Sequence, residues 1–465
     1  MTKHNKYDVI IIGGGPAGIF TTLALAPHGF KVLLLEKGHS IAKRECPMAA
    51  RGTSCLHCSP CSVVSGWGGA GAFSDGKLTL TTDFGGFLSE LLDKDELNNL
   101  IQEVDKVYLR YGAPSRIYGT DEKIISSFKR QSAAAGLKFI PAKIRHLGTE
   151  NCIKVLRNMY QELSSIAEIK TNTLVEDILV ENNRVQGVKT ASEDIYLAPY
   201  VVCGPGREGS TWFYQVARRL KLQASNNAVD IGVRVEIPAV VTEHLTSFVY
   251  EPKLVYYAPT FDDRVRTFCM NPNGEVVLEN NEGLITVNGH SYAERQTENT
   301  NFALLVSKTF TEPFKEPTRY GRYVASLANM LGGGVIVQRL GDLLAGRRST
   351  RERLERGLVR PTLKEATPGD LSLVLPYRFL LSILEMLEAL DKLAPGVNSR
   401  HTLLYGVEVK FYSFRVALSQ VLETNVNNLF AVGDGAGVTR GLVQASAAGM
   451  LVGNEIARRL QKDKH

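Results

Sequence analysis

Four cysteines lie close together near the start of the chain, at Cys46, Cys55, Cys58 and Cys61. The last three follow the spacing C-x2-C-x2-C. Bacterial ferredoxins bind iron–sulfur clusters with this spacing and a separate Cys-Pro pair further along the chain. Here the order is inverted, because the Cys-Pro pair at Cys46 comes first. Zinc is a second interpretation, with His57 as a substitute ligand. Free buried thiols or a redox-active disulfide are the third. The segment predicts metal or redox chemistry, with a 4Fe–4S cluster, zinc and unliganded thiols all left open.

A glycine loop near the N-terminus has the residue types that bind a dinucleotide phosphate. An apolar run over 7–12, typical of a strand buried on both faces, leads into Gly13, Gly15 and Gly18, and a helix-like run over 19–26 follows. In this G-x-G-x-x-G pattern the first glycine permits the tight turn, the second admits the pyrophosphate, and the third lets helix and strand pack closely. The helix start then offers N–H groups and a positive dipole end to the phosphates.

A second strand-like run over 31–35 ends at Glu36. A carboxylate at this strand end is placed to accept hydrogen bonds from the adenosine ribose hydroxyls. Strand, helix, second strand and acid in register predict a dinucleotide site. The pattern does not separate FAD from NAD.

The far end of the chain does separate them. The segment 424–434 has the pattern of a turn and a short buried strand that ends at Asp434, and a long helix rich in small residues follows over 441–460. This resembles the second FAD signature of the glutathione-reductase-like flavoproteins. The resemblance implies that Asp434 binds a ribityl hydroxyl and that the helix start faces the pyrimidine end of the flavin. A positive helix end would stabilise the negative charge of a reduced flavin.

Strand-like runs and turns alternate over 168–202 and lead into a Gly-Pro-Gly segment at 204–206. In the same superfamily a three-stranded meander returns to the main sheet at such a point, beside the adenosine diphosphate. We therefore expect an α/β protein with a Rossmann-like FAD-binding domain that contains a three-stranded β-meander, and a mixed α+β substrate or cap domain. The expected boundaries are 1–85, 140–215 and 405–465 for the FAD-binding domain, 86–139 for a mainly helical insertion, and 216–404 for the substrate domain.

The glycine-rich loop over 65–78 carries Trp67 and Phe73, which favour burial over a flexible surface loop. With this loop, and with the segments 266–275, 288–291 and 406–410, nearly the whole chain resembles the uncharacterised FAD-dependent dehydrogenase family of bacteria. That resemblance implies a flavin dehydrogenase fold but not a substrate.

Candidate site residues follow from these motifs. Cofactor contacts are predicted at Gly13, Gly15, Pro16, Ala17, Gly18, Glu36, Lys37, Gly69, Ala70, Gly204, Gly206, Gly433, Asp434, Gly441, Leu442 and Val443. Catalytic acid, base or charge-binding roles are predicted for His290, Tyr292, Arg234 and Tyr412, the last with Arg415. For each of these single residues ordinary packing or solvation is the alternative, because proton donors are identified by geometry.

The segment 216–400 has no second strand–G-x-G-x-x-G unit, and the three glycines at 332–334 follow a helix-like stretch as a helix end would. Reduction of the flavin would therefore need either NAD(P)H that binds directly at the flavin or a one-electron carrier such as ferredoxin. We expect an FAD-dependent oxidoreductase that moves a hydride or electrons between the flavin and a small organic substrate, with the cysteine segment as an electron relay if it holds a cluster. The alternatives are a redox sensor that uses the cysteine loop and a nucleic-acid-modifying flavoprotein.

The charge and hydropathy of the chain indicate which classes of binding partner to expect. The net charge of +6 over 465 residues is small and indicates neither nucleic acid nor a membrane surface. The basic run over 347–353 is most simply a solvated helical face, with an anionic substrate or docking patch as the alternative. No apolar run reaches the ~20 residues of a membrane span, so we expect no membrane and a cytoplasmic location.

Overall fold

The computed structural model of the protein describes residues 5–47, 58–225, 227–281, 283–291, 296–310, 312–314, 316–411 and 414–463. The chain forms two compact units: residues 1–116, 145–227 and 412–465 make unit 1, and residues 117–144 and 228–411 make unit 2.

The strands are β1 (Asn5–Lys6), β2 (Val9–Ile12), β3 (Val32–Leu35), β4 (Lys77–Leu80), β5 (Lys138–Ile140), β6 (Lys143–His146), β7 (Glu168–Lys170), β8 (Val175–Glu181), β9 (Arg184–Thr190), β10 (Ile195–Leu197), β11 (Tyr200–Cys203), β12 (Ala224–Ser225), β13 (Val229–Pro238), β14 (Lys253–Ala258), β15 (Asp263–Asn271), β16 (Glu275–Asn281), β17 (Leu284–His290), β18 (Asn299–Lys308), β19 (Ile336–Arg339), β20 (Thr367–Pro368), β21 (Leu403–Lys410), β22 (Arg415–Val416) and β23 (Leu429–Ala431). The α-helices are α1 (Pro16–Leu25), α2 (Lys94–Arg110), α3 (Glu122–Ala134), α4 (Thr149–Leu163), α5 (Ser210–Arg219), α6 (Glu243–Val249), α7 (Pro317–Gly332), α8 (Leu340–Leu344), α9 (Arg351–Glu355), α10 (Tyr377–Leu393) and α11 (Leu442–Lys462).

Unit 1 is built on a five-stranded parallel sheet in the order β23-β11-β2-β3-β7. Strands β2, β3, β11 and β23 are buried along their whole length, which explains why they appear in the sequence as continuous apolar runs. Helices α1 and α11 pack closely because both carry small residues at the contact: a Cβ at Gly449 would lie 2.0 Å from the carbonyl oxygen of Ala17. The carboxyl ends of the strands carry the glycine loop and Asp434.

The predicted three-stranded meander is present as β8, β9 and β10, paired antiparallel, and β1 joins β10 to complete a four-stranded sheet. The run over 168–171 contributes instead to the main sheet, where β7 pairs with β3. The α/β fold class with a Rossmann-like domain is therefore confirmed.

Unit 2 is an eight-stranded sheet in the order β20-β19-β21-β13-β18-β15-β14-β5. One face of β13 carries Ile231, Val233 and Val235, which pack with residues of α7 and α10 in an apolar core. The opposite face carries Arg234 and Glu236, which are also fully buried. The hairpin β16–β17 lies over this polar face, since an added Cβ at its Gly289 would lie 2.3 Å from Nη1 of Arg234.

The two compact units divide the chain at other positions than the expected domains. The segment 86–139 is not a separate insertion: α2 buries Leu97, Ile101 and Val104 in the core of unit 1, while α3 buries Ile125 and Phe128 in the core of unit 2. The last segment of unit 1 begins at residue 412 instead of 405, because β21 is paired between β13 and β19 of unit 2.

Glycines 332–334 end a helix, as the sequence predicts, with Gly333 in the left-handed conformation that closes α7 (φ 66°). Among the residues described, none of the helices has the length and apolar character needed to cross a membrane.

Candidate functional site: the FAD-binding loops of unit 1

The three motif glycines occupy three different environments. A Cβ at Gly18 would lie 2.0 Å from the carbonyl oxygen of Gly13, and a Cβ at Gly13, where φ is +102°, would lie 2.1 Å from the carbonyl oxygen of Gly204. A Cβ at Gly15 would meet nothing nearer than the Cα of Gly69 at 4.0 Å. The first and third glycines are therefore required by protein packing, whereas the second borders open space, as a position that faces a bound pyrophosphate should.

The start of α1 is available to an anion. Gly15 is the N-cap residue and supplies no side chain, and Pro16 occupies the first turn, where its missing N–H costs no hydrogen bond. The N–H groups of Ala17 and Gly18 belong to this turn, which has no intrahelical acceptor for its first donors. This geometry with its positive dipole end suits phosphate oxygens.

Glu36 has a larger structural role than the sequence predicts. Its buried carboxylate accepts N–H groups from Gly14 (2.7 Å to Oε2), Gly38 (2.8 Å to Oε1) and Gly66 (2.9 Å to Oε1). A carboxylate has about four acceptor positions, so one remains for a ribose hydroxyl. Glu36 thus ties the glycine loop to the loop that begins at residue 65.

Two polar side chains follow Glu36. Nδ1 of His39 is buried and has no hydrogen-bond partner among the described residues. Nζ of Lys37 lies 3.3 Å from Oε2 of Glu208, whose carboxylate also accepts the hydroxyl of Ser65. This buried nitrogen without a partner lies three residues after the predicted ribose-binding acid in the sequence, which makes His39 a candidate contact for a bound nucleotide. Contact of Lys37 with the cofactor stays a prediction.

Arg44 is a site residue that sequence reasoning missed. Its buried guanidinium donates to the carbonyl oxygens of Ser62 (3.0 Å), Val63 (2.8 Å), Trp67 (2.7 Å) and Gly69 (2.8 Å). Burial lowers its pKa to about 10, although Glu36 and Cys61 act in the opposite direction. A single arginine therefore shapes the glycine-rich loop, and no local sequence signal announces four contacts to carbonyl groups 18–25 residues away.

The closing motif provides the second helix start. Gly441 is the N-cap residue of α11, with φ 143° and no side-chain cap, and a Cβ there would meet no atom within 4 Å. Asp434 accepts the hydroxyl of Thr439 (2.8 Å) and the N–H of Gly441 (3.4 Å). Burial raises the pKa of the Asp434 carboxyl, and Arg207 acts in the opposite direction.

Gln444, in the first turn of α11, is 3% exposed, and its Oε1 has no partner among the described residues. It is a second residue that the sequence did not single out. Like His39, it leaves a buried polar atom unsatisfied at the expected location of a ligand, here the flavin end of the site.

The predicted cofactor residues converge from five segments. The N–H of Gly204 donates to the carbonyl of Ile12, and Gly206 borders open space. The pairs brought into close approach are Gly15 with Gly69, Pro16 and Leu442 with Gly71, and Ala17 with Gly433. Gly69 and Ala70 begin a short 3-10 helix and are partly exposed, and Val443 is buried in the first turn of α11. The roles of these residues as FAD ligands stay predictions, but their positions fit a dinucleotide that runs from α1 to α11.

Arg234 is placed differently from a catalytic residue. It is 0% exposed, and its donors reach Glu408 (2.7 and 2.9 Å), Asn301 (2.7 Å), the carbonyl of Cys269 (3.1 Å) and Asn288 (3.4 Å). All five of its N–H groups are therefore engaged inside unit 2. These contacts link Arg234 to β15, β17, β18 and β21 within unit 2, and its catalytic role stays a prediction.

Of the other catalytic candidates, the structure describes His290 and Arg415. His290 is partly buried at the end of β17, opposite Glu275 of β16. Arg415 forms an ion pair with Glu90 (2.7 Å) in unit 1. Tyr292 and Tyr412 lie outside the described residues. Their catalytic roles stay predictions.

The cysteine segment is described in part. Cys46 and Cys61 are partly buried, Cys58 is exposed, and Cys55 and His57 lie outside the described residues. Within the described part of the chain, no three His, Cys, Asp or Glu side chains are grouped so that they could hold a metal ion. A ligand set would depend on Cys55, and the choice between cluster, zinc and thiols is left to experiment.

Comparison with protein families agrees with this geometry. Residues 8–58, which contain the glycine loop and Glu36, match the family described as "FAD binding domain". Residues 229–411, most of unit 2, match the family described as "FAD-dependent protein, C-terminal domain-like".

Individual relatives are more distant. An uncharacterised protein of Clostridium beijerinckii is 28% identical over 488 aligned positions, which cover 100% of this chain and 83% of that protein. A vinyl phenol reductase of Lactiplantibacillus plantarum is 50% identical over 38 residues, 8% of each chain.

Among solved structures, L-proline dehydrogenase from P. horikoshii has a TM-score of 0.43 at 13% identity and covers 98% of this chain and 94% of its own. Glycine oxidase from Bacillus cereus has a TM-score of 0.37 at 15% identity, with 97% and 95% covered. Similarity at this level carries no weight for function. The two family matches and the two open helix starts support binding of FAD by this protein.

Proposed function

We propose that the protein acts as a dehydrogenase or reductase that transfers a hydride, or two electrons, between FAD and a small organic substrate. The observation that carries this is the pair of helix starts at Gly15 and Gly441, neither capped by a side chain, each beside an open glycine position. Two such starts within unit 1 suit the two ends of one dinucleotide.

Bound FAD supplies hydride and electron transfer at its isoalloxazine ring. The residues of unit 1 bind and orient it: the start of α1 receives the pyrophosphate, and Glu36 receives the ribose. Asp434, already fixed by Thr439 and Gly441, receives a ribityl hydroxyl. The start of α11 offers backbone N–H groups and a positive dipole end, which would stabilise negative charge on a reduced flavin held there.

The source of electrons is part of the proposal. The segment 216–400 has no second dinucleotide fingerprint, which favours NAD(P)H acting directly at the flavin, or a carrier protein of the ferredoxin type. Anaerobic mixing of the oxidised protein with NADH, NADPH or reduced ferredoxin separates these donors, because only the true donor bleaches the flavin absorbance within seconds.

The first experiment is an absorbance spectrum and FAD extraction on the purified protein. Asp434→Ala is expected to lose flavin, while Glu103→Ala, an exposed acid on α2, is expected to keep a full complement. Protein that never retains or rebinds FAD would contradict the proposal. Turnover of a substrate by the reduced flavin would contradict a redox sensor as the sole role.

The cysteine segment enters as a separate hypothesis, in which Cys46, Cys55, Cys58 and Cys61 hold an iron–sulfur relay or zinc. Iron, labile sulfide and zinc are measured on anaerobically purified protein. Iron with sulfide indicates a cluster, zinc alone a structural site, and neither indicates thiols. No electron route through this segment is derived from the structure.

A further inference from the structure

The segment 339–360 of unit 2 carries a dense positive charge. It contains seven arginines, three acids and no lysine, which gives it a net charge of +4 out of the +6 of the whole chain. The segment includes the basic run over 347–353 and forms α8, α9 and the loops that join them. Averaged over 465 residues the net charge is small, but most of it lies in this one segment.

Two leucines of this segment face solvent beside neighbours that are buried. Leu344 is 58% exposed, whereas Leu343 is 7% exposed. Leu358 is 77% exposed, whereas Val359 is 1% exposed and packs in an apolar core with Leu354. The buried members of these pairs hold the segment against unit 2 and leave Leu344 and Leu358 in water.

Four arginines of the segment are exposed and form no ion pair with a described residue: Arg348, Arg351, Arg356 and Arg360. Two others, Arg339 and Arg347, pair with the fully buried Asp342 at 2.9 and 3.0 Å. One of the three acids is therefore engaged inside the protein. Only Glu352 and Glu355 remain at the surface to balance the exposed arginines.

The segment is compact, so these side chains belong to one surface. Nη1 of Arg353 donates to the carbonyl oxygen of Arg348 (2.7 Å), which ties α9 to the loop before it. The N–H of Arg347 donates to the carbonyl oxygen of Asp342 (3.0 Å), which ties the same loop to α8. We give the name arginine–leucine patch to six exposed residues: Leu344, Arg348, Arg351, Arg356, Leu358 and Arg360.

Arginines and leucines side by side suit an anionic lipid surface. A guanidinium binds phosphate at two points, and its apolar stem lets it reach a headgroup while the stem packs on apolar surface. An exposed leucine gains free energy when it enters the boundary between headgroups and acyl chains. Positive side chains near an anionic membrane are attracted to it in addition.

The patch fits nucleic acid and acidic proteins less well. The segment 339–360 contains no aromatic residue, whereas single-stranded nucleic acids are bound by stacking on aromatic side chains. Duplex phosphates would pair with the arginines but would leave Leu344 and Leu358 without an apolar partner. At protein interfaces leucine is under-represented among the residues that contribute most to binding. The exposed leucines therefore favour lipid.

We propose that the arginine–leucine patch docks the protein reversibly on a membrane surface rich in anionic phospholipid, with Leu344 and Leu358 in the headgroup boundary. This inference is independent of the proposed flavin chemistry, because all six residues lie in unit 2 and none belongs to the FAD-binding loops.

The test is flotation of the full-length, FAD-loaded protein with two kinds of vesicle, one of phosphatidylcholine alone and one with about 30% phosphatidylglycerol. Binding to the anionic vesicles is expected to be at least about tenfold tighter and to weaken as salt rises. The double variant Arg351→Gln with Arg356→Gln should weaken this binding at least about tenfold, and Leu358→Ser about fivefold.

The matched controls change exposed residues of unit 2 outside the patch. Arg130→Gln with Arg264→Gln removes the same charge, and Val240→Ser removes an apolar side chain that is 72% exposed. Both controls should keep binding within about twofold of wild type. Circular dichroism checks the folding of each variant, and Leu358→Ser keeps the test decisive if the arginine variant does not fold.

No binding to anionic vesicles, or equal binding to neutral ones, would overturn the proposal. Binding that survives the arginine double variant would overturn it too. So would binding that Leu358→Ser leaves unchanged, because charge alone would then explain the attraction. Fluorescence anisotropy with a single-stranded RNA of about 20 nucleotides adds a last arm, and tighter binding to this RNA than to the vesicles would assign the patch to nucleic acid instead. FAD content, measured on the same samples, tests the proposed function separately.

Discussion

The guanidinium of Arg234 and the carboxylate of Glu408 form a two-point ion pair in which Nε lies 2.7 Å from Oε2 and Nη2 lies 2.9 Å from Oε1. Neither side chain has any exposed surface. Such a pair is costly to break from one side, because the remaining charge stays buried without compensation.

Replacing Glu408 with Gln is therefore expected to reduce the free energy of unfolding by about 3 kcal/mol, measured by urea denaturation followed by circular dichroism. The double variant Arg234→Met with Glu408→Leu should lose less, since it leaves no unpaired charge between these two positions. Glu388→Gln, on the exposed side of α10, is the control. If the free energy of unfolding of Glu408→Gln lay within about 1 kcal/mol of the wild-type value, which is about the error of such measurements, this account would be wrong.

Replacing Gly15 or Gly18 of the first motif with alanine is expected to have different effects, one on FAD affinity and the other on stability. Gly15→Ala adds a methyl group in open space at a backbone φ of −78°, so the FAD-free protein should keep its stability while its affinity for FAD falls at least about tenfold. Gly18→Ala places the methyl group 2.0 Å from a backbone oxygen and should destabilise the FAD-free protein by about 3 kcal/mol. Thermal unfolding and FAD titration of both variants check the contrast, which fails if both lose stability equally.

Gln444 should be needed by the cofactor and not by the fold. Gln444→Leu removes a buried Oε1 that has no partner among the described residues, so FAD-free stability should be unchanged or rise by about 1 kcal/mol. FAD affinity should fall about threefold to tenfold through the lost hydrogen bond. The same change at Gln461, exposed near the end of α11, should affect neither quantity. Unchanged FAD affinity in Gln444→Leu would show that this side chain does not contact the cofactor.

The environment of Asp342 predicts how the stability of unit 2 changes with pH. Burial would raise its pKa, but hydrogen bonds from Arg339, Ser349 and Arg347 outweigh burial and lower it from 3.8 to about 2. A depressed carboxyl pKa stabilises the fold above the unfolded-state pKa, and this contribution is lost as pH falls from about 4 to about 2. Asp342→Asn should therefore cost about 2 kcal/mol at pH 7 and much less at pH 2. A cost that does not depend on pH would assign the effect of the substitution to packing.

The described cysteines should differ sharply in reactivity once metal has been removed by chelation. Cys58 is exposed and should be alkylated first. Cys152 and Cys203 are buried, and burial raises the pKa of the Cys152 thiol to about 12 and that of Cys203 well above its usual value, so both should resist alkylation until the protein unfolds. Mass spectrometry after timed iodoacetamide treatment gives the order. Early labelling of Cys203 would contradict the buried position of β11.

The sequence by itself determined the nucleotide-binding part of this protein. The strand, the glycines at 13, 15 and 18 and the acid at Glu36 are close in the chain, and each residue type is required by local geometry, so their spacing is visible without a fold. Asp434 lies about 400 residues away, yet its own strand–turn–helix context is equally local. These residues allowed FAD to be predicted, and the family matches agree.

Only the tertiary structure decided which polar side chains are engaged by distant parts of the protein and which keep a buried atom without a partner among the described residues. The sequence made Arg234 a catalytic candidate by its residue type alone, whereas in the structure the β16–β17 hairpin and Glu408 enclose its side chain. Arg44 belongs to no recognised sequence motif, and yet its guanidinium donates hydrogen bonds to four carbonyl groups between residues 62 and 69. Pairing between distant strands and the burial of each side chain depend on the whole fold, and no single stretch of residues encodes them.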